Sequence, residues 1–465
     1  MEFVGRKSEL AFLEDCYADH RAQLVILYGR RRVGKTELLR RFCAGRPHVF
    51  SASNEAPAQS QLASFSQQMF AAGAPAGRYL SSYASWEDAL ADVPELPFEG
   101  RRLVVIDEFP YLVKSDPSLP SVLQNAWDAC LKDRDVMIVL CGSAMSFMEH
   151  ELLAEKNPLY GRATGILKLE PMPYRDAARF FPGYSPEEHV LAYAVLGGTP
   201  HYLTQFDPDA GLEDNIKRTI LRRGSALYSE VEFLMRQELR ETAVYNSIVQ
   251  AVALGATQLN EIAQKTMIPA QKASVYIRNL IEMGVLKREF PVGAGLQERA
   301  KAQRGLYRVA DNFFRFWYAY VFSNQSALEM LDVDGVWEHG VEPSLNEFAA
   351  VPFEDICRAW MFERNRAGDL PVYCTDIGRW WRGGDEIDVL GIDKRGGRAV
   401  AGECKFRNAP VDMRVLHALE KKVEGLPLEV EQLLLFSKNG FDEAVVERAS
   451  HDERLRLVGL EELEG

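Results

Sequence analysis

The chain has 465 residues, 47% hydrophobic and 26% charged, with a formal net charge of −13. That length exceeds what one hydrophobic core organises, so two or three domains are expected, and the composition is that of a folded soluble protein, not a disordered one. The acidic balance excludes a protein that coats nucleic acid by bulk charge and restricts any DNA contact to a local basic face.

The seven cysteines, at 16, 43, 130, 141, 357, 374 and 404, include no C-x-x-C pair and read as reduced thiols rather than a zinc site or disulfide frame. The start Met1-Glu2-Phe3-Val4-Gly5-Arg6 lacks a basic, apolar leader, and no apolar run approaches the roughly 18 to 20 residues that span a bilayer. A cytoplasmic protein without a membrane partner is the expectation.

From residue 1 to about 210, short runs of apolar and β-branched residues alternate with helical stretches. Gln23–Tyr28, His48–Ser51, Arg102–Ile106 and Val136–Leu140 read as strands buried on both faces of a parallel sheet. Between the first strand and the helical run Glu37–Phe42 lies Gly29-Arg30-Arg31-Arg32-Val33-Gly34-Lys35-Thr36, which fits the phosphate-loop pattern in its required strand–loop–helix setting. Glycines let backbone amides approach phosphates, Lys35 neutralises β/γ charge, and Thr36 ligates magnesium. The strand Arg102–Ile106 runs into Asp107 and Glu108, placing one carboxylate for the magnesium shell and one to orient or deprotonate water. ATP and Mg2+ are therefore the expected ligands.

The opening Phe3-Val4-Gly5-Arg6, the phosphate loop, the Asp107-Glu108 strand and Val139-Leu140-Cys141-Gly142-Ser143 resemble the archaeal-type ATPases of the AAA+ and signal-transduction ATPase clan. The resemblance implies that Phe3, Val4, Gly5 and Arg6 line the adenine pocket and that Ser143 senses the γ-phosphate. Pro158-Leu159-Tyr160-Gly161-Arg162 and Gly197-Gly198-Thr199-Pro200-His201 also look like blocks of this family. Arg162 is the candidate for an arginine that reaches the γ-phosphate, in cis or from the neighbouring subunit of a homo-oligomer. A salt bridge or turn contact is its equal alternative. Gly197-Gly198 reads as a hinge or helix end.

Residues 211–321 read as a helical lid and a winged helix-turn-helix. Gln258–Ala263 and Pro269–Leu280 supply the two helices, Leu286–Phe290 and Gly305–Val309 the wing, and Gln271, Lys272, Ser274 and Arg278 the outward face. Between 257 and 290 five Lys/Arg meet three Asp/Glu, too small a surplus to choose between DNA and protein as partner.

After an expected linker at 322–343, residues 344–465 read as a second α/β domain. Its expected order is a helix 345–366, strands near 371–377, 386–393 and 398–406, a helix 411–424, a strand 432–436 and a helix 441–450. Strand alternation puts Glu403 and Lys405 on one face, and a hairpin can bring Asp388 beside them, a set able to hold a divalent ion and activate water. With Glu354 on the preceding helix, this order resembles restriction-endonuclease-like nucleases and the C-terminal domain of unknown function attached to archaeal-type ATPases. The resemblance implies metal ligation by Asp388 and Glu403 and charge stabilisation by Lys405. The whole reads as an ATP-driven switch or motor controlling a nuclease-like effector on DNA. The alternative is a regulatory ATPase whose downstream domains bind DNA or protein without cutting.

Overall fold

A computed structural model describes residues 3–239, 241–295, 299 and 305–465. They divide into two compact units, Met1–Met172 with Thr199–His201, and Pro173–Gly198 with Tyr202–Gly465.

In the first unit β1 (Gln23–Tyr28), β2 (His48–Ala52), β3 (Arg102–Asp107), β4 (Val136–Gly142) and β5 (Gly165–Lys168) form one sheet in the order β2-β3-β4-β1-β5. Every pairing is parallel. Leu24, Ile26, Val104, Ile106, Ile138 and Leu140 pack into one core. Their chain neighbours Val25, Leu27, Leu103, Val105, Met137 and Val139 pack into a second core. A strand alternates its side chains between faces, so only a sheet covered on both sides accepts such unbroken apolar runs. The register pairs Tyr28 with Gly142 and Ala52 with Asp107, which brings the residues after β1, β3 and β4 to the same edge. Ligands of open parallel sheets bind at that edge. Strand β5 was not legible in the sequence. It has four residues, and Thr164 just before it accepts the Leu24 amide on its hydroxyl at 2.9 Å.

In the second unit the helices Thr242–Ala253, Leu259–Thr266 and Ala270–Glu282 precede an antiparallel pair, β6 (Leu286–Glu289) and β7 (Leu306–Val309). The Gly-rich stretch between those strands lies partly outside the described residues. Residues 322–343, expected as a linker, instead form short helical turns with Leu328, Val336, Trp337 and Val341 buried. Intervening acids masked these widely spaced apolar anchors. The helix Leu345–Ala367 leads into β8 (Asp376–Arg382), β9 (Asp385–Asp393), β10 (Arg398–Lys405), β11 (Glu429–Ser437) and β12 (Leu455–Val458), in the order β12-β11-β10-β9-β8. The first of these strands starts later than the expected 371–377, and β12 was not anticipated. Strands β8 and β10 each run antiparallel to β9, whereas β10, β11 and β12 pair in parallel. Among the described residues no helix is long and apolar enough to cross a membrane.

Candidate functional site

The phosphate loop leaves β1 at a position only glycine can fill, because a Cβ on Gly29 would lie 2.3 Å from the Leu169 carbonyl oxygen. The loop turns through Arg32 at φ 71° and Gly34 at φ 91° before the helix Lys35–Cys43 begins. Val33 anchors it in the second core. Lys35 is only 6% exposed, and its ammonium donates to the carbonyls of Gly29 at 2.9 Å and Arg30 at 2.8 Å. Burial pushes its pKa down, opposed by the negative charge of Glu108 and Asp107. The lysine is thus fastened to the loop it serves.

The Thr36 hydroxyl donates to Asp107 Oδ2 at 2.7 Å, and Asp107 is buried. Glu108 follows in the left-handed region at φ 54°, a strained conformation for a residue with a side chain. Its Oε2 accepts the Ser143 hydroxyl at 2.8 Å and the Ser143 amide at 3.3 Å. Ser143, expected as a γ-phosphate sensor, therefore faces the candidate base. In the opening segment Gly5 and Arg6 both have positive φ, and the buried Arg6 guanidinium donates to the Val33 carbonyl at 2.9 Å. Phe3 packs beside the same core as the loop, and Val4 is half-buried next to it.

One outcome in the first unit was not foreseen. Thr199-Pro200-His201 groups with the ATPase unit although both flanks belong to the other unit. A His201 ring nitrogen meets the Arg32 guanidinium, and Pro200 Cγ is 3.6 Å from where a Cβ on Gly34 would stand. Burial and the Arg32 charge both lower the His201 pKa. The available signal was the block Gly197-Gly198-Thr199-Pro200-His201, of which only the glycine hinge was interpreted; Gly197 does take φ 64°. Arg162, for its part, closes a fork on Asp128, with Nη2 2.6 Å from Oδ2, and donates to the Pro158 carbonyl at 2.9 Å. These are the turn contacts of its alternative reading.

In the second unit the C-terminal residues converge. Asp388 on β9 and Glu403 on β10 are buried, and the Cys404 amide donates to Asp388 Oδ2 at 2.9 Å. Lys405 Nζ lies 2.8 Å from Glu403 Oε1. Burial would lower the Lys405 pKa, but the Glu403 carboxylate outweighs it and holds the ammonium above its ordinary range. Burial, with Glu403 beside it, raises the Asp388 carboxyl. Glu354, from the helix Leu345–Ala367, is pushed up to about 7 by burial and by Asp388. Arg358, one turn on, donates to the Asp388 carbonyl at 2.8 Å and approaches Glu354 Oε2 at 3.5 Å. Sequence reasoning missed Arg358 and also Lys422, whose Nζ is 2.8 Å from Glu403 Oε2. Both of its oxygens being held by ammonium groups, Glu403 belongs to a charge-paired cluster. Among the described residues no group of three or more His, Cys, Asp or Glu side chains is arranged to hold a metal ion. On the helix Ala270–Glu282, Gln271, Lys272, Ser274 and Arg278 are all exposed.

Residues 3–206 match the family described as an ATPase domain predominantly from Archaea. Residues 317–421 match a family of archaeal and bacterial proteins of unknown function. An uncharacterized protein of Methanocaldococcus jannaschii is 30% identical over 407 residues, which is 87% of this chain and 88% of that one. An uncharacterized ATP-binding protein of the same organism is 60% identical over 40 residues, 9% of this chain and 68% of that one. Among solved structures, the Walker-type ATPase of Pyrococcus abyssi superposes with a TM-score of 0.50 at 20% identity, covering 68% of this chain and 96% of that chain. That likeness speaks to the fold alone. With its phosphate loop built as described, the chain is an ATP-binding P-loop ATPase, and it belongs to the archaeal-type ATPase family that carries this domain of unknown function toward the C-terminal end.

Proposed function

We propose that the chain is an ATP-driven switch whose hydrolysis cycle controls a DNA-directed effector formed by the second unit. The observation that carries the catalytic part is the 2.7 Å contact between Thr36 and Asp107 beside the buried Lys35, with Glu108 next in sequence. A hydroxyl and a carboxylate brought together at the sheet edge are the oxygen donors magnesium takes, so Thr36 and Asp107 would hold it. When bound, the ion would neutralise charge on the β- and γ-phosphates. Lys35 exchanges its carbonyl partners on Gly29 and Arg30 for phosphate oxygens. Glu108 accepts the proton of the attacking water, and Ser143 holds that carboxylate until the nucleotide is in place. Phe3, Val4, Gly5 and Arg6 border the base.

The helices Leu259–Thr266 and Ala270–Glu282 with the β6–β7 ribbon work as a winged helix whose exposed Gln271, Lys272, Ser274 and Arg278 meet DNA. ATP turnover of the purified chain, measured with and without duplex DNA, tests the coupling. Stimulation by DNA is expected, and a rate indifferent to saturating DNA would remove it.

A second reading rests on Asp388 and Glu403, carboxylates on adjacent strands that would take up a divalent ion only if Glu403 released its lysines, namely metal-dependent phosphodiester cleavage on a restriction-endonuclease-like domain. Nicking of plasmid DNA with magnesium or manganese, with and without ATP, tests it. Intact plasmid under all of these conditions leaves the domain as a binding module.

A further inference from the structure

Strand β8 is the edge of its sheet, and an edge strand presents backbone groups that a fold has to cover. The chain leaving β6 covers them here: the Val292 amide donates to the Arg379 carbonyl at 2.9 Å and the Gly293 amide to Asp376 Oδ2 at 3.1 Å. The pairing of β8 with β9 slips between Gly378 and Trp380, an irregularity that re-aims the side chains beside it. Where the two segments meet lies an open cavity of about 510 Å³. Its lining includes the apolar side chains of Trp380, Trp381, Pro291 and Leu428, and its polar side chains are Gln258 and Arg382.

The size suits one small ligand, since such pockets run from roughly 300 to 1,000 Å³. Trp380 packs partly buried against the core of the sheet and is fixed by it. Trp381 is half-buried, with the Arg379 guanidinium 5.8 Å from its ring centroid. Among the described residues no other ring or cation stacks on either indole, and neither indole N–H has a hydrogen-bond partner. Arg379 is committed to Glu386. Arg382, in contrast, is exposed, and among the described residues neither a carboxylate nor any other acceptor engages its guanidinium. The hairpin fixes its place: Arg382 pairs with Asp385 across Gly383 and Gly384, at φ 64° and 97°, the two-residue turn that needs left-handed backbone at both positions.

Flat indole surface, a carboxamide that both donates and accepts, and an uncommitted guanidinium are together the recognition elements of a nucleotide. A purely apolar ligand would leave Arg382 and Gln258 without a role, and a bare phosphate would leave the two tryptophans without one. We infer that this cavity binds a nucleobase together with its phosphate, Trp381 stacking on the base, Gln258 meeting its edge and Arg382 taking the phosphate. The base belongs either to a free nucleotide or to an unpaired nucleotide of a strand, because a base inside a duplex is stacked on its neighbours. The cavity lies wholly in the second unit, and the inference stands whether or not duplex DNA stimulates ATP turnover or the chain cuts DNA.

The test is binding of a short fluorescent oligodeoxynucleotide of mixed sequence, single-stranded or paired with its complement, to the full chain in EDTA across a salt series. The single strand should bind more tightly than the duplex. Trp381→Ala should weaken single-strand binding about tenfold, within the usual reach of base–aromatic stacking, and Trp381→Phe should keep most of it. Arg382→Gln, a change at an exposed turn that leaves folding intact, should lower the slope of log affinity against log salt by about 0.7, the counterion release of one phosphate on a single strand. Deoxynucleoside monophosphates as competitors separate the two sources. Displacement at matched nucleotide concentration identifies a free nucleotide as the ligand, and retention of the oligomer identifies a strand. Single-strand binding that is unchanged in Trp381→Ala and keeps its salt slope in Arg382→Gln overturns the inference. So does an equal loss of single-strand and duplex binding in Trp381→Ala, or an absence of binding by both the single strand and the monophosphates.

Discussion

The two units hold their key lysines in opposite ways. In the first, Lys35 is buried and fastened to main-chain carbonyls of its own loop, so the site is made by backbone shape. In the second, Lys405 and Lys422 are fastened to a side-chain carboxylate, and the cluster is made by charge meeting charge across β9, β10 and two helices. A backbone site is specified by glycines and by one stretch of chain. A side-chain site depends on where separate elements come to rest. The first is therefore positioned by the chain on either side of it, while the second is held by charges delivered from separate elements.

The contrast can be broken first at the phosphate loop. Lys35→Ala should abolish ATP hydrolysis, because the buried ammonium that would neutralise β- and γ-phosphate charge is lost; wild-type phosphate release by this variant would end the assignment. Glu108→Gln should cut turnover by roughly 10²-fold or more, the usual reach of a general base, while nucleotide still binds. Turnover within about twofold of wild type would take Glu108 out of the chemistry and leave its bond to Ser143 structural.

At the second cluster, Asp388→Asn should eliminate any metal-dependent plasmid nicking and spare ATP hydrolysis, whose residues lie in the other unit. Nicking that persists would place the activity elsewhere. The Glu354 carboxyl makes a smaller and graded test. Its folded pKa of about 7 lies above the ordinary 4.5, so the folded state holds a proton that the unfolded state releases. The stability this contributes is complete below about 4.5 and is lost as pH rises toward 7. Chemical denaturation should therefore show a decline between pH 5 and 7 that Glu354→Gln flattens, and equal slopes in the two proteins would refute it.

The smallest effect belongs to Arg162. Its guanidinium is engaged by Asp128 at a solvent-facing turn, so Arg162→Ala should leave ATP turnover within about twofold. A large loss, restored by mixing with the Lys35→Ala protein, would instead establish a site shared between subunits.

Much of the first site was legible in the sequence because its parts are local. Strand, glycine loop and helix follow one another within twenty residues, from Gln23 to Phe42, and unbroken apolar runs indicate a sheet covered on both faces. The hairpin spacing of Asp388, Glu403 and Lys405 was legible for the same reason. Tertiary structure alone decided the contacts between distant segments. Ser143 turns to Glu108 because β4 lies beside β3, and His201 meets Arg32 because three residues of a returning chain group with the ATPase unit. Lys422 reaches Glu403 because its helix packs on β10. Local sequence determines backbone geometry through sterics and periodicity, but a lysine's partner depends on which surfaces the folded core brings within a few ångström.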